Sequence, residues 1–385
     1  MTFDACFLKT GTISDCLSKN GRNGEDITCD HKDVDFVLNS AARTSLHNWL
    51  TKTPPTPEYI SGPATMTKHT YTDKDNITSY VYIIGELHGE KNDCSMLPSE
   101  GKNPDKTMEI QDFLSALIET SPVFLDLFVE LPHDTSAFTH DDNDFSYITK
   151  IYNKLKDHIP PIKGTQRPYR RIDNARIHAI DVRPNSDDFL DKFIDYLVEV
   201  SKREITGKDE EHISETVGKI LADTNMKIGE YIQKYLITKR VRKDLDKLTE
   251  RQREWLLDAI EIFGPKIHEK RVELYMLMRQ GVPVDEIVRT LLVILIPISA
   301  YKVDIYLMSR MFKTFRTENE PNSPFNSVIY VGNKHANVYR VLFSEMGYEV
   351  QSMRKADLDR HIIRCLHVDT EKAYPFFDVS PCAFA

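Results

Sequence analysis

Cysteine is sparse in this 385-residue chain and follows no ligand pattern. The six residues, Cys6, Cys16, Cys29, Cys94, Cys365 and Cys382, include no Cys-x-x-Cys pair, which removes the familiar zinc-site spacings. In a chain of this length they are expected as free thiols of a reducing compartment, with a disulfide tying an N-terminal arm to the body as the alternative. Long apolar runs are missing too. The most apolar stretch, Leu291 to Ile298, is interrupted by Pro297 and is far short of the ~20 residues a spanning helix needs. It predicts a buried, kinked helix and no membrane partner. Positive charge is not in excess: 50 Lys and Arg stand against 59 Asp and Glu, a net charge of −9. Neither nucleic acid nor an anionic lipid surface is therefore expected as a partner. Gly-x-Ser-x-Gly, the P-loop pattern and His-Glu-x-x-His are all absent, so the serine elbow, the usual phosphate cradle and the common zinc-protease helix lack support. The opening Met1-Thr-Phe-Asp-Ala-Cys6 has no basic region followed by an apolar one, and a cytoplasmic protein is expected.

Hydrophobic residues at 41% and charged residues at 28% are those of an ordinary folded domain. Residues 1–75 read as an N-terminal arm, rich in loop signals and containing the stiff extended connector Thr51-Lys-Thr-Pro-Pro-Thr-Pro57. From there β-branched and aromatic runs alternate with helical patterns. Ser79 to Ile84, Val123 to Val129, Arg176 to Val182 and Ser327 to Val331 read as buried strands, and Tyr348 to Val350 as the opening of a fifth. Asn103-Pro104 is read as a helix start; Ile110, Phe113, Leu114, Leu117 and Ile118 share one helical face, as do Ile148, Ile151, Tyr152 and Leu155. A further helix from Ala336 is stopped by Gly347. This pattern predicts an α/β fold: a mostly parallel sheet with helices on both faces, formed by 76–185 and 316–385. Residues 186–315 are helical in character. In 201–280, 17 Lys and Arg mix with 15 Asp and Glu, the signature of solvated helix faces. They are read as a helical insertion or cap between the third and fourth core strands.

The chemistry is expected where those strands end. Gly85-Glu86-Leu87-His88 follows the first strand and Glu130 the second. The third ends in Asp181-Val182-Arg183, and the fourth leads into Gly332-Asn333-Lys334-His335. Parallel strands gather such groups on one rim, the edge at which open α/β sheets bind ligands. Taken singly, each is an ordinary loop residue or helix cap. His178 and Asp126 lie within strands and read as core groups. Cys94, six residues beyond His88, reads as a loop thiol and not as a nucleophile.

In their order and spacing these segments resemble the erythromycin-esterase-like, TraB/Tiki and ChaN-like superfamily, over roughly 80–150, 175–200 and 325–350. Lys334, where members often carry a small residue, and the N-terminal arm depart from the pattern. The resemblance implies hydrolysis of an ester or amide bond in a small-molecule or peptide substrate, with His88 or His335 as the base. Glu86 or Glu130 would orient it, and Arg183 beside Asp181 would stabilise the oxyanion. It equally allows a divalent metal, manganese, zinc or cobalt, held by Glu86, His88, Glu130 and His335. Two rivals remain. One is a haem or small-ligand binder whose pocket is lined by Tyr231, Tyr235 and Met276. The other is a structural or interaction protein with a decayed site, docking through its apolar tail from Ala373.

Overall fold

The computed structural model describes residues 44, 47–48, 51–52, 55–73, 78–87, 94, 106–132, 147–160, 169–183, 189–222, 230–315 (except 231, 233, 235, 238, 247, 249 and 281), 320–356 and 364–368. The chain divides into two compact units. The first comprises Met1–Leu131, Phe138–Ala179 and Thr314–Ala385; the second comprises Pro132–Ala137 and Ile180–Lys313.

The strands of the first unit are β1 (Tyr59–Ser61), β2 (Pro63–Thr72), β3 (Thr78–Glu86), β4 (Thr107–Glu109), β5 (Leu125–Pro132), β6 (Ala175–Asp181), β7 (Asn326–Gly332), β8 (Glu349–Lys355) and β9 (Cys365–His367). The last two residues of β5 and β6 lie at the unit boundary. Six of these strands form a mixed sheet in the order β6-β5-β7-β3-β2-β8, and β4-β1-β9 form a small second sheet. At the centre of the large sheet β3 and β5 both run parallel to β7, while β2 is antiparallel to β3 and to β8. The architecture is therefore mixed α/β.

Alternation along the strands sends side chains to opposite faces. Tyr82, Ile84, Leu127, Val129, Val328 and Tyr330 point into one continuous core, completed by helices α1 (Ile110–Thr120) and α2 (Tyr147–Leu155). Helix α1 forms because Ile110, Phe113, Leu114, Leu117 and Ile118 recur on one face, and all five are buried; each contributes roughly 1.5–3 kcal/mol by leaving water. A charged residue at Leu114 would break that packing. The other face of the sheet meets α9 (Asn333–Glu345): a Cβ placed on Gly85 would sit 2.9 Å from Ala336 Cβ.

Two expectations change here. Residues Tyr59–Thr72, assigned to the arm, supply β1 and β2, and β2 runs inside the large sheet. Its sequence, PATMTKHTYT, buries threonines and a histidine, so apolar patterning does not mark it. Helix α1 begins at Ile110 and not at Asn103-Pro104, because Tyr59–Ser61 pairs with Thr107–Glu109 just before it; residues 101–105 lie outside the described set.

The described elements of the second unit are helices: α3 (Phe189–Val200), α4 (Gly207–Ala222), α5 (Lys239–Leu245), α6 (Glu250–Glu261), α7 (Gly264–Arg279) and α8 (Val284–Met311). Helix α4 starts at a reciprocal cap. The Thr206 N–H donates to Asp209 Oδ2 at 2.8 Å and the Asp209 N–H faces Thr206 Oγ1 at 3.4 Å. The hydrogen bonds from Arg203, then from Thr206 and Tyr196, hold the Asp209 carboxyl well below its ordinary value. Helix α8 runs unbroken for 28 residues through Pro297, where the sequence predicted a shorter kinked element. Among the described residues it is the one helix long and apolar enough to cross a membrane, and 67% of its most apolar window is buried inside the protein. Within the unit, fully buried Lys302 of α8 pairs with Asp191 at 2.8 Å, and Ser299 donates to the same carboxylate at 2.6 Å.

Candidate active site

The carboxyl ends of β5 and β7 bring Glu130 and His335 together. Val129 lies opposite Tyr330, so Glu130, one residue on, turns to the α9 face. There its Oε2 accepts the Gly332 N–H at 2.8 Å, and its Oε1 lies 3.4 Å from His335 Nε2. The Gly332 amide is at the N-cap of α9, and His335 lies in the first turn. The carboxylate is thus held by an amide at the positive end of a helix. Glu130 is 6% exposed and His335 8%, so the pair interacts in a medium poor in water, where each charge is felt strongly by the other.

Glu86 does not join them. It lies opposite Gly332 in register, but alternation places its side chain on the face of Tyr82 and Ile84. There it accepts a hydrogen bond from the Tyr330 hydroxyl. Burial, then the charge and hydrogen bond of Glu86, push the Tyr330 phenol well above its ordinary value. Buried Arg364 is packed over the Tyr147 ring at 4.3 Å, and the Tyr147 hydroxyl lies 2.9 Å from Ser61 Oγ. Arg364 acts on Tyr330 through its charge. Glu86 is thus one member of a buried polar group behind the sheet.

Asp181 and Arg183 form a pair of their own in the second unit. The Arg183 Nε and Nη2 donate to the two Asp181 oxygens at 2.8 and 2.9 Å, and the Arg183 backbone N–H reaches Oδ1 at 3.1 Å. The guanidinium fork is directed back to its own strand end. His88 lies outside the described residues, as do Tyr231, Tyr235 and the tail from Ala373. Met276 is 51% exposed on α7. An open cavity of about 380 Å³ lies in the second unit, between the end of α3 and the start of α8. Val200, Ile205, Val284 and Val288 are among its lining residues, and it contains none of the residues singled out from the sequence.

Among the described residues the side chains do not assemble a metal set. Glu86 and Glu130 point to opposite faces of the sheet, and no group of three or more His, Cys, Asp or Glu placed to hold an ion occurs among the described residues.

Asp126, Arg176 and His178 make a buried network on β5 and β6, about 13 Å along β5 from Glu130. Arg176 donates to both Asp126 oxygens at 2.8 and 2.9 Å, and His178 Nε2 lies 2.8 Å from Oδ1. The His178 ring stacks on Phe128 at 4.4 Å. Burial acts to raise the Asp126 carboxyl, but the charge of Arg176 and the His178 hydrogen bond outweigh it and hold the group below its ordinary value. This is the core role read for these two residues from their mid-strand positions.

Sequence reasoning missed Tyr330 and the Gly332 amide. Tyr330 reads as one more aromatic in a buried strand. Only the register, Ile84 opposite Tyr330 and Glu86 two residues on, brings its hydroxyl to a carboxylate. Comparisons with protein-family models, curated proteins and solved structures give no match.

Proposed function

We propose that the chain is a hydrolase of an ester or amide bond, with His335 as its base and Glu130 as the group that orients it. The observation that carries the reading is the buried carboxylate–imidazole pair at the carboxyl ends of β5 and β7, 3.4 Å apart. With Nε2 turned to Glu130, the proton resides on Nε2 and Nδ1 is the basic position. In this reading Nδ1 takes a proton from water as the water oxygen attacks the carbonyl carbon. The imidazolium, stabilised by Glu130, then returns that proton to the leaving alkoxide or amine as its bond to carbon breaks. A spacing of 3.4 Å is long for a hydrogen bond, and such contacts commonly shorten when substrate is bound. The order Gly-Glu-x-His, Glu, Asp-x-Arg and Gly-x-x-His supports kinship with the erythromycin-esterase-like, TraB/Tiki and ChaN-like superfamily.

Two finer readings belong to the same proposal. A mostly parallel core with 186–315 as its helical insertion is supported by the parallel neighbours β5, β7 and β3 and by the helices from Phe189 to Met311. As to compartment, a bond between Cys94 and Cys365 favours an oxidising one.

A panel of small esters and short peptides tests the activity. His335→Ala is expected to lower turnover by ~10²–10⁴-fold, and Glu130→Gln to lower it with less change in substrate binding. Both variants should keep the wild-type circular dichroism spectrum. Turnover unchanged in both would remove the pair from the mechanism. The metal-assisted alternative rests on His88, and elemental analysis of the purified chain for manganese, zinc and cobalt tests it.

A further inference from the structure

The guanidinium of Arg340, on α9, reaches β2 and is fixed there by neutral groups only. Its Nη2 donates to Thr65 Oγ1 at 2.6 Å, its Nε to Thr67 Oγ1 at 3.3 Å and its Nη1 to Asn337 Oδ1 at 2.6 Å. Among the described residues no carboxylate lies within ion-pair distance of it. The group is partly buried, and that burial pushes its pKa down to about 10. Removing a cation from water without a counter-charge is unfavourable, so a purely structural role would be better filled by a neutral side chain of the same length.

The surroundings hold the guanidinium without neutralising it. The Thr65 hydroxyl gives its own proton to Asn333 Oδ1 at 2.7 Å. Thr67 Oγ1 is also 3.1 Å from Nε2 of His69, a fully buried imidazole. The Nδ1 of that ring has no hydrogen-bond partner among the described residues. A guanidinium carries five N–H donors, and the three contacts leave one on each terminal nitrogen. Two such donors in one plane match two oxygens of a phosphate or a carboxylate. We propose that this pre-oriented fork on α9 and β2 is an oxyanion-binding site, taking a phosphate or carboxylate group of a ligand. The site uses neither Glu130 nor His335, and it stands or falls independently of the hydrolase reading.

Binding alone tests it. The full chain is titrated with inorganic phosphate, and separately with acetate, at constant ionic strength balanced by chloride. The imidazole resonances of His69 serve as the local probe and the melting temperature as the global one. The expected result is a saturable shift of the His69 signals and a rise in melting temperature, with Arg340→Gln weakening the response by ~10-fold or more. Saturation by phosphate alone assigns a tetrahedral oxyanion, and saturation by both ions assigns a site open to carboxylates as well. No saturable response to either ion overturns the proposal, as does an undiminished response in Arg340→Gln. Should that variant not fold, Thr67→Val, which removes the partner of Nε, makes the comparison: an unchanged affinity there counts against the site.

Discussion

His69 is enclosed between β2 and α9, with Arg340 beside it and no acid to favour its charged form among the described residues. Burial first, and then the Arg340 charge, hold the imidazole down to about 4, against an ordinary ~6.5. Because the folded-state value is the lower one, the unfolded chain takes up the proton first as pH falls. The stabilisation is therefore complete above pH ~6.5. It is lost progressively as the pH drops through about 4, by up to roughly 3 kcal/mol. Urea unfolding at pH 7.5 and 4.5 measures this: the wild type should lose about 2–3 kcal/mol more than His69→Gln between the two conditions. Equal losses would mean that His69 is not kept neutral. At this scale the sequence located single groups better than their company. Glu130 and His335 were both legible as residues following apolar strands. Glu86 was legible as well, but which face it occupies depends on a strand register that no local pattern encodes.

The elements show where local signals suffice. Helix α9 ends in a full C-terminal motif. Gly347 at φ +82° donates its N–H to Ser344 O at 3.0 Å, Tyr348 N–H reaches Phe343 O at 2.9 Å, and the Phe343 and Tyr348 rings meet at 4.9 Å. The glycine therefore announced the stop. Nothing lies within 4 Å of a Cβ built on Gly347, so Gly347→Ala is expected to cost only the backbone strain, about 1 kcal/mol. Gly85 is the opposite case. A Cβ there would lie 2.6 Å from Thr65 Oγ1 and 2.7 Å from Asn333 Oδ1. Gly85→Ala must push α9 and β2 apart, at about 1–3 kcal/mol. Chemical denaturation of the two variants separates these costs, and similar small losses in both would show that the close approach at Gly85 is readily relaxed. The buried strands β3, β5, β6 and β7 were legible because they are apolar and β-branched. Strand β2 was not, since its threonines, Lys68 and His69 enter a sheet through pairing and polar contacts that hydropathy does not register.

At the scale of the whole chain the decisive feature is one that cysteine spacing concealed. The structure joins Cys94 to Cys365, both buried and 271 positions apart, in place of the free thiols expected of these two; Cys6, Cys16, Cys29 and Cys382 lie outside the described residues. The alternative, a disulfide on the arm, is not this pairing either, because Cys94 follows β3 and Cys365 opens β9. Distant cysteines carry no sequence signal until the fold sets them side by side: β9 pairs with β1, and Tyr59 packs against the cluster the two cysteines form. The closed loop contains the entire second unit and most of the large sheet. Closing so long a loop removes freedom chiefly from the unfolded chain, so its effect should appear in stability and leave the folded contacts alone. Cys94→Ser, Cys365→Ser and the double variant are therefore expected to lose the same amount, about 2–5 kcal/mol, and reductant should lower the wild-type melting temperature while leaving all three variants unmoved. A double variant much less stable than either single one would mean that each cysteine acts through its own packing, and that no bond links them.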